Sequence, residues 1–129
     1  MKQVAVVGGG ASGFAAAITI ARKSNDFTVT IYERLQKPLK KILATGNGRC
    51  NLTNANATFS DYFGDSAFAA TVLEALPPDS NRAFFNDLGL LTKEEEMGRV
   101  YPASGQASAV RETLLCEAER LAIRLVTDC

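Results

Sequence analysis

The stretch QVAVVGGGASG at residues 3–13 leaves this chain few ways to fold. Residues 3–7 form a short apolar run with β-branched side chains, the pattern of a strand buried in a parallel sheet, and the run stops at a cluster of glycines. From Ser12 to about Lys23, Phe14, Ile18 and Ala21 fall at helical spacing with alanines between them, and Ser24-Asn25-Asp26 supplies an exit. FTVTIYE, residues 27–33, is rich in strand-forming residues and reads as a second strand. Strand, glycine turn, helix and strand make a compact βαβ unit over residues 3–33.

Gly8-x-Gly10-x-x-Gly13 directly follows the strand and opens the helix, which is the context this motif needs. Gly8 permits the tight turn, Gly10 lets the backbone approach a pyrophosphate, and Gly13 lets helix and strand pack closely. Ala11 and Ser12 complete the turn, and the free N–H groups and positive dipole end of the helix favour phosphate. Glu33 ends the second strand twenty residues beyond Gly13, where a carboxylate accepts hydrogen bonds from both hydroxyls of an adenosine ribose. It would repel a 2′-phosphate, so FAD or NAD is favoured over NADP, with neighbouring Arg34 as a counterweight.

The same cradle serves an FAD flavoprotein, an NAD-dependent dehydrogenase domain or a non-redox nucleotide-binding module. The segment after Glu33 separates them. Residues 34–65 show no sustained periodicity beyond a turn of helix around Lys40 to Ala44, and a loop this long in a compact domain is functional or disordered. An NAD dehydrogenase usually follows its second strand with a short connection and another βα unit, whereas a long polar loop suits FAD, whose larger body needs contacts beyond the first turn. Within TGNGRCNLTN, Gly46, Asn47 and Gly48 can take positive φ and aim N–H groups inward as an anion-binding nest, and Arg49 adds a charged fork. Without a ligand the same residues are a surface loop rich in Asx turns.

Downstream, Phe68, Val72 and Leu76 predict a helix from about Ser66 to Leu76, stopped by Pro77-Pro78. Ser80 caps a short helix through Leu88, with Gly89 placed to end it. LLTKEEEMGRVYP reads as a hairpin with Gly98 near its turn and Glu94 to Glu96 on a solvated face. Val110, Leu114, Ala118 and Leu121 form the stripe of a last helix with Ser104 as its cap, and IRLVTD is a third strand candidate. The fold class is therefore α/β, a Rossmann-like dinucleotide-binding domain with a parallel sheet core. A helical and hairpin excursion occupies residues 66–103, and the helix and strand return over residues 104–129. Three parallel strands leave edges and faces uncovered, so the chain reads as the amino-terminal piece of a longer protein, incomplete at its carboxy end, with the remainder of its own polypeptide as a partner.

Composition narrows the alternatives. Fourteen Lys and Arg balance fourteen Asp and Glu, and no basic block is present, which excludes nucleic acid as a partner. Lys2 and the apolar run to Ala21 mimic a signal peptide, but Gly8, Gly9, Gly10 and Gly13 interrupt it, so neither export nor a membrane span is expected and the location expected is cytoplasmic. Two glycosylation sequons, at Asn51 and Asn56, carry little weight in a chain without an export signal. Cys50, Cys116 and Cys129 form no CxxC pair and there is no histidine, which removes zinc, other metal and thiol–imidazole readings. An unpaired Cys50 does not support dithiol chemistry, and Cys116 and Cys129 read as small buried or neutral residues.

VAVVGGGASGFAAAITIAR, YER, KKILATGNGRCNLTN and GRVYPASGQASAV together resemble the BaiN-like (HI-type) bacterial flavoproteins, the NAD(P)/FAD-dependent or aminoacetone-oxidase-family oxidoreductases. TGNGRCNLTN is the most specific block. The resemblance spans essentially the whole chain but only the amino-terminal portion of much longer proteins. One departure is Leu39, where that family often has glycine before its lysine pair. The resemblance implies a glutathione-reductase-like FAD domain, with hydride passing from NAD(P)H to flavin and on to an unsaturated or carbonyl small-molecule substrate. It also implies that Gly8, Gly10, Ala11, Ser12 and Gly13 meet the pyrophosphate, and Glu33 and Arg34 the adenosine end. Lys41, Thr45, Gly46, Gly48, Arg49, Cys50 and Asn51 would border the pyrophosphate, ribityl chain or flavin ring. Arg99 and Tyr101 have no partner that would make either an acid or a base, so no catalytic residue is assigned. The 129 residues alone are expected to hold FAD weakly and to be inactive, because affinity depends on enclosing most of a ligand's surface.

Overall fold

A computed structural model describes residues 1–129. β1 (Lys2–Val7), α1 (Ala11–Lys23) and β2 (Phe27–Tyr32) form the βαβ unit, its strands parallel from Lys2 opposite Phe27 to Val7 opposite Tyr32. β6 (Arg124–Val126) joins the far side of β2, also parallel, in the order β1-β2-β6. Because side chains alternate along a strand, one face of this sheet presents Val4, Val6, Val29 and Ile31 to a layer of helices. α1 lays Phe14, Ala17 and Ile18 against that layer, and α4 (Ala107–Arg120) adds Val110, Leu114 and Ala118. The other face is bare, with Val7 89% exposed and its neighbour Tyr32 open to solvent.

Between β2 and α4 the chain builds a second, antiparallel sheet in the order β3-β5-β4, from β3 (Thr53–Asn54), β4 (Thr92–Glu94) and β5 (Arg99–Pro102). The hairpin β4-β5 follows its sequence pattern, with Met97 and Gly98 both at positive φ in the turn. β3 is unanticipated, since two residues are too few to show alternation. The Asn54 side chain fixes it, donating to the Met97 carbonyl at 3.0 Å, and a Cβ on Gly98 would lie 2.6 Å from the Asn54 Oδ1.

Several boundaries differ from expectation for identifiable reasons. β2 ends at Tyr32, and Glu33 lies just beyond it, its N–H still bonded to the Val126 carbonyl while its side chain turns back to the glycine turn. α3 (Pro78–Asp87) is opened by Pro78 and not capped by Ser80, since a proline with fixed φ and no N–H suits the first helical position. Ser104 accepts from the Gln106 N–H in a local turn, so α4 starts after Gln106, and Leu121 falls just past its last turn. α2 (Ser66–Ala75) is capped by Asp65, which accepts the Phe68 N–H at 3.2 Å. Its expected stripe is present but faces solvent, with Phe68 at 87% exposure.

Glu117 fastens α4 to α1. It is buried and takes 2.7 Å contacts from Arg22 of α1 and from Arg120 of its own helix. Hydrogen bonds from Arg120 and then Arg22 outweigh the cost of burial and depress its carboxyl pKa to about 2. A carboxyl depressed in the fold contributes stability above its ordinary value of 4.5 and loses it as pH falls toward 2. That contribution is on the order of 3 kcal/mol. Glu117→Gln should lower the melting temperature at neutral pH and flatten its fall in acid; a parallel acid branch in both proteins would contradict this. At the junction of α1 and β1, a Cβ on Gly13 would stand 2.0 Å from the Gly8 carbonyl oxygen. Gly13→Ala is therefore expected to cost roughly 1–3 kcal/mol in denaturant unfolding, because the helix must back away from the strand.

Candidate functional site

The glycine turn places the end of β1 and the start of α1 in backbone contact. Gly8 turns at φ +104 and donates its N–H to the Tyr32 carbonyl at 2.8 Å, and the missing Gly13 side chain lets the Gly8 carbonyl lie on the helix. Gly10 precedes α1, no side chain caps the helix, and its first internal bond runs from the Phe14 N–H to the Gly10 carbonyl at 3.0 Å. The donors of the first turn are left without a side-chain partner, an arrangement that suits an anion. A Cβ on Gly10 would have no atom within 4 Å, so the open space beside this turn is not demanded by the fold.

Gly9, which the motif spacing passes over, ties this turn to Glu33. Its N–H donates to the Glu33 Oε2 at 2.6 Å, and a Cβ there would lie 2.9 Å from the Glu33 Cβ. The other carboxylate oxygen accepts the Leu35 N–H at 2.7 Å. The bonds from Leu35 and then Gly9 hold the Glu33 carboxyl below its usual pKa and so keep it ionised. Each oxygen retains a further acceptor position. Leu39 donates its N–H to the Gly9 carbonyl at 2.8 Å and buries its side chain, but its backbone sits at φ +60. A glycine adopts that conformation without strain, so the backbone here explains a glycine at this position, and the leucine departs from it.

A cavity of about 560 Å³ opens at this point and gathers Gly10, Ala11, Ser12, Glu33, Arg34, Lys41 and Thr45 from the residues expected at the site. Lys37 and Lys40, to which no site role was assigned, also line it. A second cavity of about 590 Å³ lies on the other side of the same helical turn, sharing Ala11, Ser12 and Ile42 with the first. Its walls are largely apolar, with Ile20, Leu52, Phe84 and Phe85, and it includes Cys50 and Asn51. Gly8 and Gly13 line neither cavity and act through the backbone turn.

Gly46, Gly48 and Arg49 line neither cavity either. Gly46, Asn47 and Gly48 do take positive φ, but the next two N–H groups close the loop on itself, Arg49 onto the Gly46 carbonyl and Cys50 onto the Thr45 carbonyl. Arg49 donates from Nη2 to the Glu95 Oε1 at 2.5 Å and its guanidinium lies 4.0 Å from the Tyr101 ring centroid. Glu95 was expected on a solvated face; instead the hairpin folds back onto the loop, and Glu95 also meets Lys93 at 3.0 Å. The hydrogen bond to Arg49, then that to Lys93, holds the Glu95 carboxyl low, and the bond to Glu95 raises Arg49.

Cys50 sits at φ +58 and is buried, and burial pushes its thiol up against a smaller opposing hydrogen bond from Thr45. A thiol held neutral is a poor nucleophile and redox group. Cys116 and Cys129 are exposed and not buried. No group of three or more His, Cys, Asp or Glu is arranged to hold a metal ion, and no helix is long and apolar enough to cross a membrane.

The chain is similar to known proteins. The chain is 45% identical over 128 residues to the 3-dehydro-bile acid delta(4,6)-reductase of Clostridium scindens, which matches 98% of this chain and 31% of that protein. It is 27% identical over 124 residues to the ribosomal RNA dihydrouridine synthase of Haemophilus influenzae, matching 94% of this chain and 30% of that one. It therefore spans about a third of the length of these curated relatives. The crystal structure of Thermovibrio ammonificans THI4 shares the fold, with a TM-score of 0.66 at 18% identity over 97% of this chain and 37% of the other. The family described as HI0933-like protein Rossmann domain matches residues 2–129, and the chain belongs to that family.

Proposed function

We propose that this chain is the FAD-binding start of an oxidoreductase that passes hydride from NAD(P)H, through flavin, to a carbon–carbon double bond conjugated with a carbonyl in a small organic substrate. The observation that carries this reading is the meeting of two unlike cavities at one uncapped helix terminus. A dinucleotide with one polar, ribose-bearing half and one broad apolar ring matches that pair better than NAD does, because nicotinamide is small and polar. The residues fit the group: Gly10, Ala11 and Ser12 would hold the pyrophosphate, and Glu33 with Arg34 the adenosine end. Cys50, Asn51 and the apolar wall of α1 would border the ring.

Bound FAD supplies the hydride-carrying chemistry, and the chain's own residues supply binding, orientation and exclusion of water. The uncapped donors and the rim cations Lys37, Lys40 and Lys41 neutralise phosphate charge, while Glu33, kept ionised, accepts from sugar hydroxyls. Apolar side chains of the second cavity keep water away from a ring seated there. The substrate class draws on the relatives. A delta(4,6)-reductase of a 3-dehydro-bile acid and a dihydrouridine synthase both name chemistry at a double bond conjugated with a carbonyl. Balanced charge favours a small molecule over RNA in this chain.

The complete polypeptide is expected to purify yellow with bound FAD and to bleach when NAD(P)H is added without oxygen. A colourless protein that takes up no added FAD would sink the proposal, NAD binding without flavin would indicate a dehydrogenase domain, and flavin that NAD(P)H cannot reduce a non-redox module. Gly10→Ala separates site from scaffold. Its new methyl meets nothing in the protein and its φ of −88 suits any residue, so the melting temperature without ligand should hold. FAD affinity should fall about tenfold or more, as the methyl fills space a phosphate needs.

A further inference from the structure

The loop between the two cavities carries an unusual backbone. Gly46, Asn47, Gly48 and Cys50 all have positive φ within five residues. Asparagine tolerates that conformation and glycine prefers it, but for a cysteine it costs roughly 1–2 kcal/mol, so the surroundings must hold the loop in place. One end of the loop, Thr45, lines the polar cavity and donates its hydroxyl to the Ile42 carbonyl at 2.8 Å. The other end, Cys50 and Asn51, lines the apolar cavity. The middle is held from the hairpin: the buried Tyr101 ring lies 3.3 Å from where a Gly46 Cβ would be, and Arg49 stacks on that ring while its Nη2 bonds the Glu95 Oε1.

We infer that Glu95 is a positioning residue of the FAD site: by drawing Arg49 onto Tyr101 it fixes the path of residues 45–51, and with it the placement of the two cavity walls that the loop connects. The inference rests on the reading of those cavities as the two halves of an FAD site. The stack alone leaves a guanidinium free to turn about the ring normal, and the charge-assisted bond from Arg49 Nη2 to the Glu95 Oε1 adds a second attachment off the ring that limits this turn. Glu95 is itself oriented by Lys93 at 3.0 Å. The pair is more than a quarter exposed on each side, so its loss should affect the loop far more than global stability. A second pair on the same hairpin, Arg82 with Glu94 at 3.5 Å, ties it to α3 and does not touch the loop, which makes Glu94→Gln a matched control.

Cys50 reports the loop's position directly. In the complete polypeptide with Cys116, Cys129 and any cysteine of the remaining chain changed to serine, labelling of the buried Cys50 by a small thiol reagent should be slow in the parent and about tenfold faster in Glu95→Gln, with Glu94→Gln like the parent. Glu95→Gln should also weaken FAD binding about tenfold and alter the visible circular dichroism of the bound flavin, with little change in melting temperature. A purely structural ion pair would lower the melting temperature and leave labelling and flavin spectrum as in the parent; that result, or equal effects from Glu94→Gln, overturns the inference. If the parent binds no FAD, the proposed function fails while Cys50 labelling still decides whether Glu95 sets the loop. Should Glu95→Gln not fold, Glu95→Asp, which keeps the charge and shortens the reach, is read by the same labelling: faster than the parent supports the role, parent-like overturns it.

Discussion

The contact on which the rest of this structure depends is backbone on backbone: α1 rests on the Gly8 carbonyl because Gly13 has no side chain to hold it off. With helix and strand this close, the amino end of α1 stands at the carboxyl end of β1, beside the end of β2, and Glu33 can reach the Gly9 N–H at 2.6 Å. A side chain at Gly13 would move the helix terminus away from Glu33. The uncapped donors of the helix, the carboxylate and the space between them are one geometric unit. Gly13 and Gly10 serve it in opposite ways, the first by excluding atoms the fold has no room for and the second by leaving room the fold does not use.

The polar loop that follows is organised from outside itself. Its own hydrogen bonds, Arg49 to Gly46 and Cys50 to Thr45, close a tight turn, but they do not say where the turn sits. That is decided by the antiparallel sheet. β3 grows out of the loop's end and pairs with β5, the Leu52 N–H reaches the Val100 carbonyl at 2.8 Å, and Asn54 with Asn56 packs around Gly98. The many asparagines and glycines of TGNGRCNLTNAN thus do two jobs: the first few shape the turn, and the later ones dock it on a hairpin more than forty residues away.

The βαβ unit was legible in the sequence because its determinants are local: an apolar strand, a glycine spacing and a helical stripe lie within 33 residues. The helices and the hairpin were legible for the same reason, by period and by turn residues. What could not be read depends on which residues meet. Gly9 matters only because Glu33 folds over it, Leu39 takes a positive φ only because its N–H and side chain are both claimed by distant groups, and Glu95 leaves its run of glutamates only because the hairpin returns to Arg49. The α2 stripe shows the converse. Its spacing predicted the helix, but spacing carries no information about what lies opposite, and within this chain that face meets solvent.

Bulk charge misleads here in an instructive way. The chain has as many acids as bases, yet the four acids with depressed pKa values are committed to internal partners: Glu33 to two backbone N–H groups, Asp61 to the Thr58 N–H and hydroxyl, Glu95 to Arg49 and Lys93, and Glu117 to Arg22 and Arg120. Arg34, Lys37, Lys40 and Lys41, at the rim of the polar cavity, belong to none of the five ion pairs in the structure. Pairing an acid inside the fold shortens the reach of its field, while an unpaired cation beside a cavity keeps its own. A neutral chain therefore sets four unpaired cations beside the uncapped helix terminus, and their fields add to that of the helix in the space between them, with Glu33 the one depressed acid on the same rim.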